Sequence, residues 1–274
     1  MVFTTCLAPD VMSRSAKRGI CMNELSQADF AALAPGVCWY YNWHYRPKCR
    51  GTSAGIQFIP MVWGGYPGAV RGLRRYLDSA SLMPPAVFAI NEPNLRGQAF
   101  LTPQHTAELY RKVKNITDEH GIPLIGPHMA LGSALGDSIT AFDPVENKVV
   151  TYTFMIPFLK ATLHYLNQWD ITPPAVGIHS YGGIGELKWA VELIHSTFGC
   201  QVWVTEYARW ECDDLGQTRD YLIEATAYLE NSPLVAGFAW FKERVPNKPC
   251  ISLLGDSPGM LSPLGEAYIK QPAR

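Results

Sequence analysis

No excess of positive charge marks this chain: 23 Lys and Arg stand against 24 Asp and Glu, for a formal net charge of −1. A nucleic-acid surface needs clustered cations to displace counterions from phosphates, so nucleic acid is not an expected partner. The densest basic stretch, Arg71 to Arg75, is broken by Gly72 and Leu73 and reads as the solvated face of a helix. No apolar run reaches the roughly 18 residues that cross a bilayer, so no membrane partner is expected. Residues 1–18 hold no convincing apolar signal core, which fits either a cytosolic protein or one whose signal has been removed. No glycine-rich fingerprint follows the first apolar run, which argues against a dinucleotide fold. The seven cysteines match no zinc spacing, and their odd number leaves at least one thiol unpaired within a monomer. Neither a cofactor nor a metal is expected. No repeat, low-complexity segment or linker-like shift in composition divides the 274 residues.

What the chain does have is aromatic: 8 Trp, 13 Tyr and 11 Phe. Some fill a core, but Trp is hard to bury whole because its N–H needs a partner, so several are left for a cleft. Flat aromatic faces suit sugar rings, whose C–H faces are apolar and whose hydroxyls point outward. Eight apolar runs recur at 19–22, 37–41, 56–62, 87–90, 123–126, 175–178, 201–205 and 235–240. Most are apolar throughout rather than alternating, as parallel strands covered on both faces should be. Helical patterns separate them at 67–78, 102–120, 152–168, 186–198, 215–229 and 263–269, with Thr102 as N-cap and Pro103 at the first helical position. Strand–helix alternation repeated in this way predicts an α/β protein with a single (β/α)8 TIM barrel over residues 19–274 and an N-terminal extension over 1–18. Cys212 and Cys250 fall in late loops that such a barrel makes neighbours, and a disulfide there would suit secretion.

In a barrel of this kind chemistry collects at the C-terminal strand ends. The fourth run ends Asn91-Glu92-Pro93-Asn94 and the seventh ends Thr205-Glu206-Tyr207. Two carboxylates at one mouth are the minimum machinery for glycoside hydrolysis: one protonated to donate to the leaving oxygen, the other ionised to attack the anomeric carbon or activate water. Either Glu alone reads as readily as a helix-cap partner or a surface ion pair; it is the pair that points to chemistry. Trp43, Trp63 and Trp210 follow strand ends and are candidate sugar platforms, or else anchors beneath their own loops. Tyr41 belongs to the same aromatic loop as Trp43. His128 is a candidate sugar ligand or a satisfied loop histidine. Glu24 is a rival carboxylate that Ser26 and the Ala-rich stretch make plausible as a helix-start residue. Glu211, Asp213 and Asp214 read as a solvated acidic loop.

The set Asn91-Glu92, Glu206 and Trp240, in that order along the chain, resembles a clan A glycoside hydrolase. The stretches 89–94, 178–183 and 203–210 look closest to glycoside hydrolase family 128, a family of compact-barrel β-1,3-glucanases. That resemblance implies Glu92 as general acid/base and Glu206 as nucleophile. It implies Asn91 as hydrogen-bond partner of the sugar 2-hydroxyl, and Tyr181 as support for Glu206, with His179 lining the same floor. Trp240 is implied as the platform at the cleavage site, and a non-prolyl cis peptide is expected at Trp240–Phe241. Many clan A enzymes carry an Arg near the end of the second strand that supports the nucleophile; here none precedes Arg46, so Asn42 and His128 are the expected substitutes. The implied partners are β-1,3-glucan polysaccharide and its oligosaccharides, the implied state is a monomer, and the implied setting is extracellular or at a cell wall. Another clan A activity (β-mannanase or β-1,4-glucanase) and a non-catalytic β-glucan-binding barrel are the alternatives.

Overall fold

The computed structural model describes residues 14–49 and 54–273. Most of the eight apolar runs become parallel strands within a few residues of the expected bounds. They are β1 (Arg18–Cys21), β2 (Trp39–Tyr41), β3 (Gln57–Phe58), β4 (Met61–Val62), β5 (Val87–Ala89), β6 (Leu124–Ile125) and β7 (His128–Ala130). The hairpin β8 (Ile139–Asp143) and β9 (Lys148–Tyr152) follows, and then β10 (Ala175–Ser180), β11 (Gln201–Tyr207) and β12 (Val235–Phe241). The helices are α1 (Gln27–Leu33), α2 (Ala69–Ser79), α3 (Pro103–Glu119), α4 (Met155–Asn167), α5 (Ile184–Phe198), α6 (Leu215–Asn231) and α7 (Pro263–Ile269). Proline breaks the pairing in two places, within the expected 56–62 strand and just past the expected 123–126 strand, beyond which β7 is a further one. Pro60 cannot donate a ladder hydrogen bond and separates β3 from β4. The cis Gly126–Pro127 bond separates β6 from β7.

The result is a mixed α/β fold around a parallel central sheet. Seven strands pair in the order β3-β2-β1-β12-β11-β10-β7, and β4-β5-β6 form a second parallel sheet. Single hydrogen bonds stitch the two together: Met61 N donates to His44 O, and His128 N to Ile90 O. The regular pairing is not an unbroken ring. Strand–helix alternation is also less regular than expected, because no helix stands between β2 and β3 among the described residues. The antiparallel β8–β9 hairpin was not expected at all; it pairs Ile139 with Tyr152 and Asp143 with Lys148 between β7 and α4.

Large rings fill the space enclosed by the parallel strands. Trp39, Phe88 and Trp203 meet with centroids 5.3–5.8 Å apart, and His128 packs edge-on against Phe88 at 4.8 Å. Room for these rings comes from glycines paired directly across the ladder: Gly19 opposite Trp39, Gly177 opposite His128, and Trp203 opposite Gly237. A Cβ on any of the three would stand 2.1–2.4 Å from the facing ring. Outside the strands, α1 and α4–α7 cover one apolar core, and α2 and α3 cover another.

Capping follows the sequence. Thr102 accepts from His105 N at the start of α3, and Ser26 with Asp29 forms a capping box on α1. Glu24 stands just before that cap and is exposed. At the base of the fold the buried Arg18 guanidinium bonds Glu230 and the carbonyls of Tyr268, Gln271 and Pro272, tying the first strand to α6 and the C-terminal tail. Of the expected N-terminal extension, residues 1–13 lie outside the described residues. Ser15 and Lys17 dock onto Glu230 and the carbonyls of Glu230 and Ser232. No helix of the described residues is long and apolar enough to cross a membrane.

Candidate active site

An open cleft of about 840 Å³ lies over the C-terminal ends of the parallel strands. Both glutamates stand in its floor, Glu92 just after β5 and Glu206 near the end of β11, and both are buried but for 7% and 5% of their surface. Glu92 is turned into the cleft by an unusual backbone. Its φ is +42°, a region that side-chain-bearing residues visit rarely, and its N–H donates to His128 O at 2.7 Å. Such a conformation persists where the surroundings over-determine it, and these positions cluster at functional sites.

Glu206 is held from three sides. Trp43 Nε1 donates to Oε1 at 2.8 Å and the Tyr41 hydroxyl to the same oxygen at 3.0 Å, while the Tyr181 hydroxyl donates to Oε2. Both phenols are pushed well above their ordinary pKa, first by burial and then by the Glu206 charge, so they remain donors. His179 lies between the two carboxylates. Its Nδ1 is 2.8 Å from Glu92 Oε1 and 3.5 Å from Glu206 Oε2. Burial disfavours charge on this ring, but Glu206 and Glu92 outweigh it, and the net shift is upward. Below His179, its Nε2 is 3.2 Å from Thr205 Oγ1, which is 2.8 Å from His128 Nδ1. His128 is pushed down to about 3 by burial and then by the neighbouring His179.

Of the residues singled out from sequence, Asn91, Glu92, His179, Tyr181, Glu206, Trp43, Trp63 and Trp210 all line the cleft. Asn91 Nδ2 donates to Gln98 Oε1, and its Oδ1 is buried with no partner within the protein. Trp210 stands at the rim with 43% of its surface exposed, edge-on to Tyr181 at 5.6 Å, with Lys248 Nζ 5.0 Å from its ring. The Cys212–Cys250 disulfide joins the loops after β11 and β12 beside it.

Five placements need correction. Trp240 is not a cleft platform: it is fully buried on the outer face of β12, its N–H donates to Ile251 O at 2.8 Å, and it packs against Tyr207 and Tyr268. Phe241, the next residue and therefore on the opposite face, lines the cleft instead. The non-prolyl cis peptide is likewise one residue on, at Phe241–Lys242. His128 does not reach the cleft; it begins β7, faces inward and is fully buried beneath His179. Tyr41 is also fully buried, and it touches Glu206 rather than open cleft. Neither Asn42 nor His128 bonds Glu206, since Asn42 points away to Arg46 O; Tyr41, Trp43 and Tyr181 do that work.

Sequence reasoning missed Gln98, Phe241 and Glu186. Glu186 accepts from Ser180 Oγ and Gly182 N and so fixes the cleft edge after β10. Parity along the strand could have found Phe241; nothing local marks Gln98. Among the described residues no group of three or more His, Cys, Asp or Glu is placed to hold a metal ion.

The profile of the family described as glycosyl hydrolase catalytic core matches residues 19–268. A family 128, subgroup II endo-β-1,3-glucanase from Sorangium cellulosum is 30% identical with a TM-score of 0.79, over 94% of this chain and 99% of that one. A subgroup II endo-β-1,3-glucanase from Pseudomonas viridiflava is 29% identical with a TM-score of 0.81, over 96% and 100%. A subgroup I endo-β-1,3-glucanase from Amycolatopsis mediterranei, solved with laminaritriose, shares the fold at 20% identity and a TM-score of 0.70, over 93% and 99%. No curated protein sequence gives a match. With a buried glutamate pair at one cleft, a catalytic-core profile spanning nearly the whole chain and a 30% identical relative aligned end to end, the chain belongs to the glycosyl hydrolase catalytic core family and, among glycoside hydrolases, to family 128.

Proposed function

We propose that this glycoside hydrolase is a retaining endo-β-1,3-glucanase in which Glu92 is the general acid/base and Glu206 the nucleophile. The single observation that carries the mechanism is His179 Nδ1, which reaches Glu92 Oε1 at 2.8 Å and Glu206 Oε2 at 3.5 Å. Two oxygens sharing one atom at those distances cannot be farther apart than about 6.3 Å. That falls short of the roughly 6.5–9.5 Å by which inverting enzymes make room for a water, and is compatible with the roughly 5–5.5 Å of retaining ones.

Each half-reaction then has an assigned group. Glu206, aligned by Trp43, Tyr41 and Tyr181, attacks the anomeric carbon as Glu92 protonates the departing oxygen. Glu92, now a carboxylate, takes a proton from water, which attacks the same carbon and releases Glu206. The orphaned Oδ1 of Asn91 supports its role as acceptor for the sugar 2-hydroxyl, since a buried acceptor without a partner is costly until something fills it. Trp43, Trp63, Trp210 and Phe241 are apolar walls for sugar faces. Beyond Trp210, a second depression of about 740 Å³ shares Tyr181, Gly182 and Trp210 with the first. A cleft that continues past the cleavage point suits cutting within a chain.

We further propose that residues 19–274 form one (β/α)8 barrel acting as a monomer. The stitching hydrogen bonds at His44 and Ile90 support closure. The β-1,3 linkage rests on the family 128 relatives, and the Cys212–Cys250 disulfide supports an oxidising, extracellular setting. The test is product release from linear β-1,3-glucan, β-1,4-glucan and β-mannan by the wild type, Glu92→Gln and Glu206→Gln. Oligosaccharides from the β-1,3 polymer alone, lost in both variants, are expected. Release from another polymer would discard the linkage and keep the mechanism; full activity in either variant would discard the mechanism.

A further inference from the structure

We infer that Thr205 and His128, neither of which lines the cleft, set the tautomer of His179 and through it hold the working proton at Glu92. This rests on the assignment of Glu92 as general acid/base. The reasoning starts at the bottom of the chain of contacts. His128 Nε2 is 3.2 Å from Ile125 O, and a carbonyl can only accept, so Nε2 carries the hydrogen. No carboxylate bonds this ring, which is fully buried against Phe88, so it stays neutral and its Nδ1 presents a lone pair. Thr205 Oγ1, at 2.8 Å, must therefore donate its one hydrogen downward to His128. That leaves Thr205 Oγ1 as an acceptor for His179 Nε2 at 3.2 Å, so His179 carries its hydrogen on Nε2. A neutral His179 then turns the Nδ1 lone pair toward Glu92 Oε1 at 2.8 Å.

A lone pair facing a bare carboxylate at that distance is repulsive. A proton is needed between them, either on Glu92 Oε1 or on Nδ1. No charged or titratable side chain facing the pair opposes this. Glu206, 3.5 Å from Nδ1, favours the extra proton, while Tyr181 and Tyr41 stay neutral donors to Glu206, and Cys21, buried on β1, stays a thiol. In the first half-reaction that proton moves to the glycosidic oxygen as the C–O bond breaks and its electron pair stays on the oxygen. Glu92 is left ionised opposite a lone pair, an arrangement relieved when it takes a proton from the incoming water.

Without the Thr205 hydroxyl, His179 is free to place its hydrogen on Nδ1 and donate to ionised Glu92, which removes the demand for the extra proton. In Thr205→Val the alkaline limb of kcat/KM on β-1,3-glucan should move down by about one pH unit, leaving the plateau below it unchanged and giving a loss that grows to about tenfold above the wild-type limb. KM should change little, an aryl glycoside with an activated leaving group should keep its rate, and Thr205→Ser should restore the wild-type profile. A wild-type limb in Thr205→Val, or equal losses on both substrates, would overturn the inference. Independently of any variant's folding or activity, ¹⁵N imidazole spectra of the wild type above the alkaline limb should show both rings in the Nε2–H form. Resonances are assigned by comparison with His128→Asn and His179→Asn. An Nδ1–H form on either ring would overturn the wiring. An inactive wild type, or an active Glu92→Gln, would instead fail the underlying assignment of Glu92.

Discussion

Acid should loosen this fold through His128. Its ring is pushed down to about 3, by burial first and by His179 second, whereas a histidine in an unfolded chain titrates near about 6.5. Between those values the unfolded chain binds a proton that the folded one refuses, so stability falls as pH falls. The loss is absent above about 6.5, grows by about 1.4 kcal/mol per pH unit and levels off below about 3. It amounts to about 2 kcal/mol at pH 5 and about 3.4 kcal/mol at pH 4, out of the roughly 5–15 kcal/mol typical of a domain. His179 works in the opposite sense: its pKa is raised in the fold, so its contribution is present below the unfolded value and is lost as pH rises through the folded one. The two are separated by differencing the wild type against His128→Asn, which keeps an acceptor toward Thr205 and cannot titrate. Urea unfolding at pH 7, 6, 5 and 4 is the assay. The variant should be the less stable at pH 7, having lost the Ile125 bond and the contact with Phe88. The gap should close by about 2 kcal/mol on going to pH 5. A gap that stays constant over that range would refute the reasoning.

Two further outcomes separate packing from function. Trp240→Ala should lower stability by about 3–5 kcal/mol, because it empties a fully buried site, whereas Phe241→Ala should leave thermal stability nearly unchanged and raise KM for oligosaccharides. Thermal melts beside initial rates read both. Replacing Cys212 and Cys250 together by Ser opens a loop spanning 38 positions and should lower stability by up to about 4 kcal/mol, measured by denaturant midpoint.

Strands and helices were readable because their causes are local. Apolar runs bounded by turns gave the parallel strands, and Thr102-Pro103 gave the start of α3 to the residue. Orientation within a strand was not local. A run such as Val235–Phe241 is buried on both faces, so alternation, the usual guide to facing, is erased, and Trp240 and Phe241 exchange roles. The same loss of parity in the segment after β2 made Asn42 look like the partner of Glu206, when Tyr41 and Trp43, two residues apart, share the inward side. The β8–β9 hairpin was overlooked for the opposite reason: its half-exposed strands lack an apolar run, though Thr140 and Thr151 across from each other and the turn at Asp143 to Asn147 are its marks. The glutamate pair was legible because each directly ends an apolar run; the chain from His179 through Thr205 to His128 joins three strands and has no signature in any one of them.

The ring-and-glycine pairs also bear on how the strands find their places. Each large ring at Trp39, His128 and Trp203 faces the one residue type with no side chain to strike, on the neighbouring strand at the same level. Sliding either strand by a single residue turns every side chain to the other face and brings a Cβ-bearing residue under the ring. The three pairs therefore work as keys cut for one alignment, and they lie on both flanks of the glutamate floor. The Gly177–His128 pair fixes β10, which carries His179, against β7, whose His128 carbonyl accepts the Glu92 N–H, and so sets those two members of the site in register.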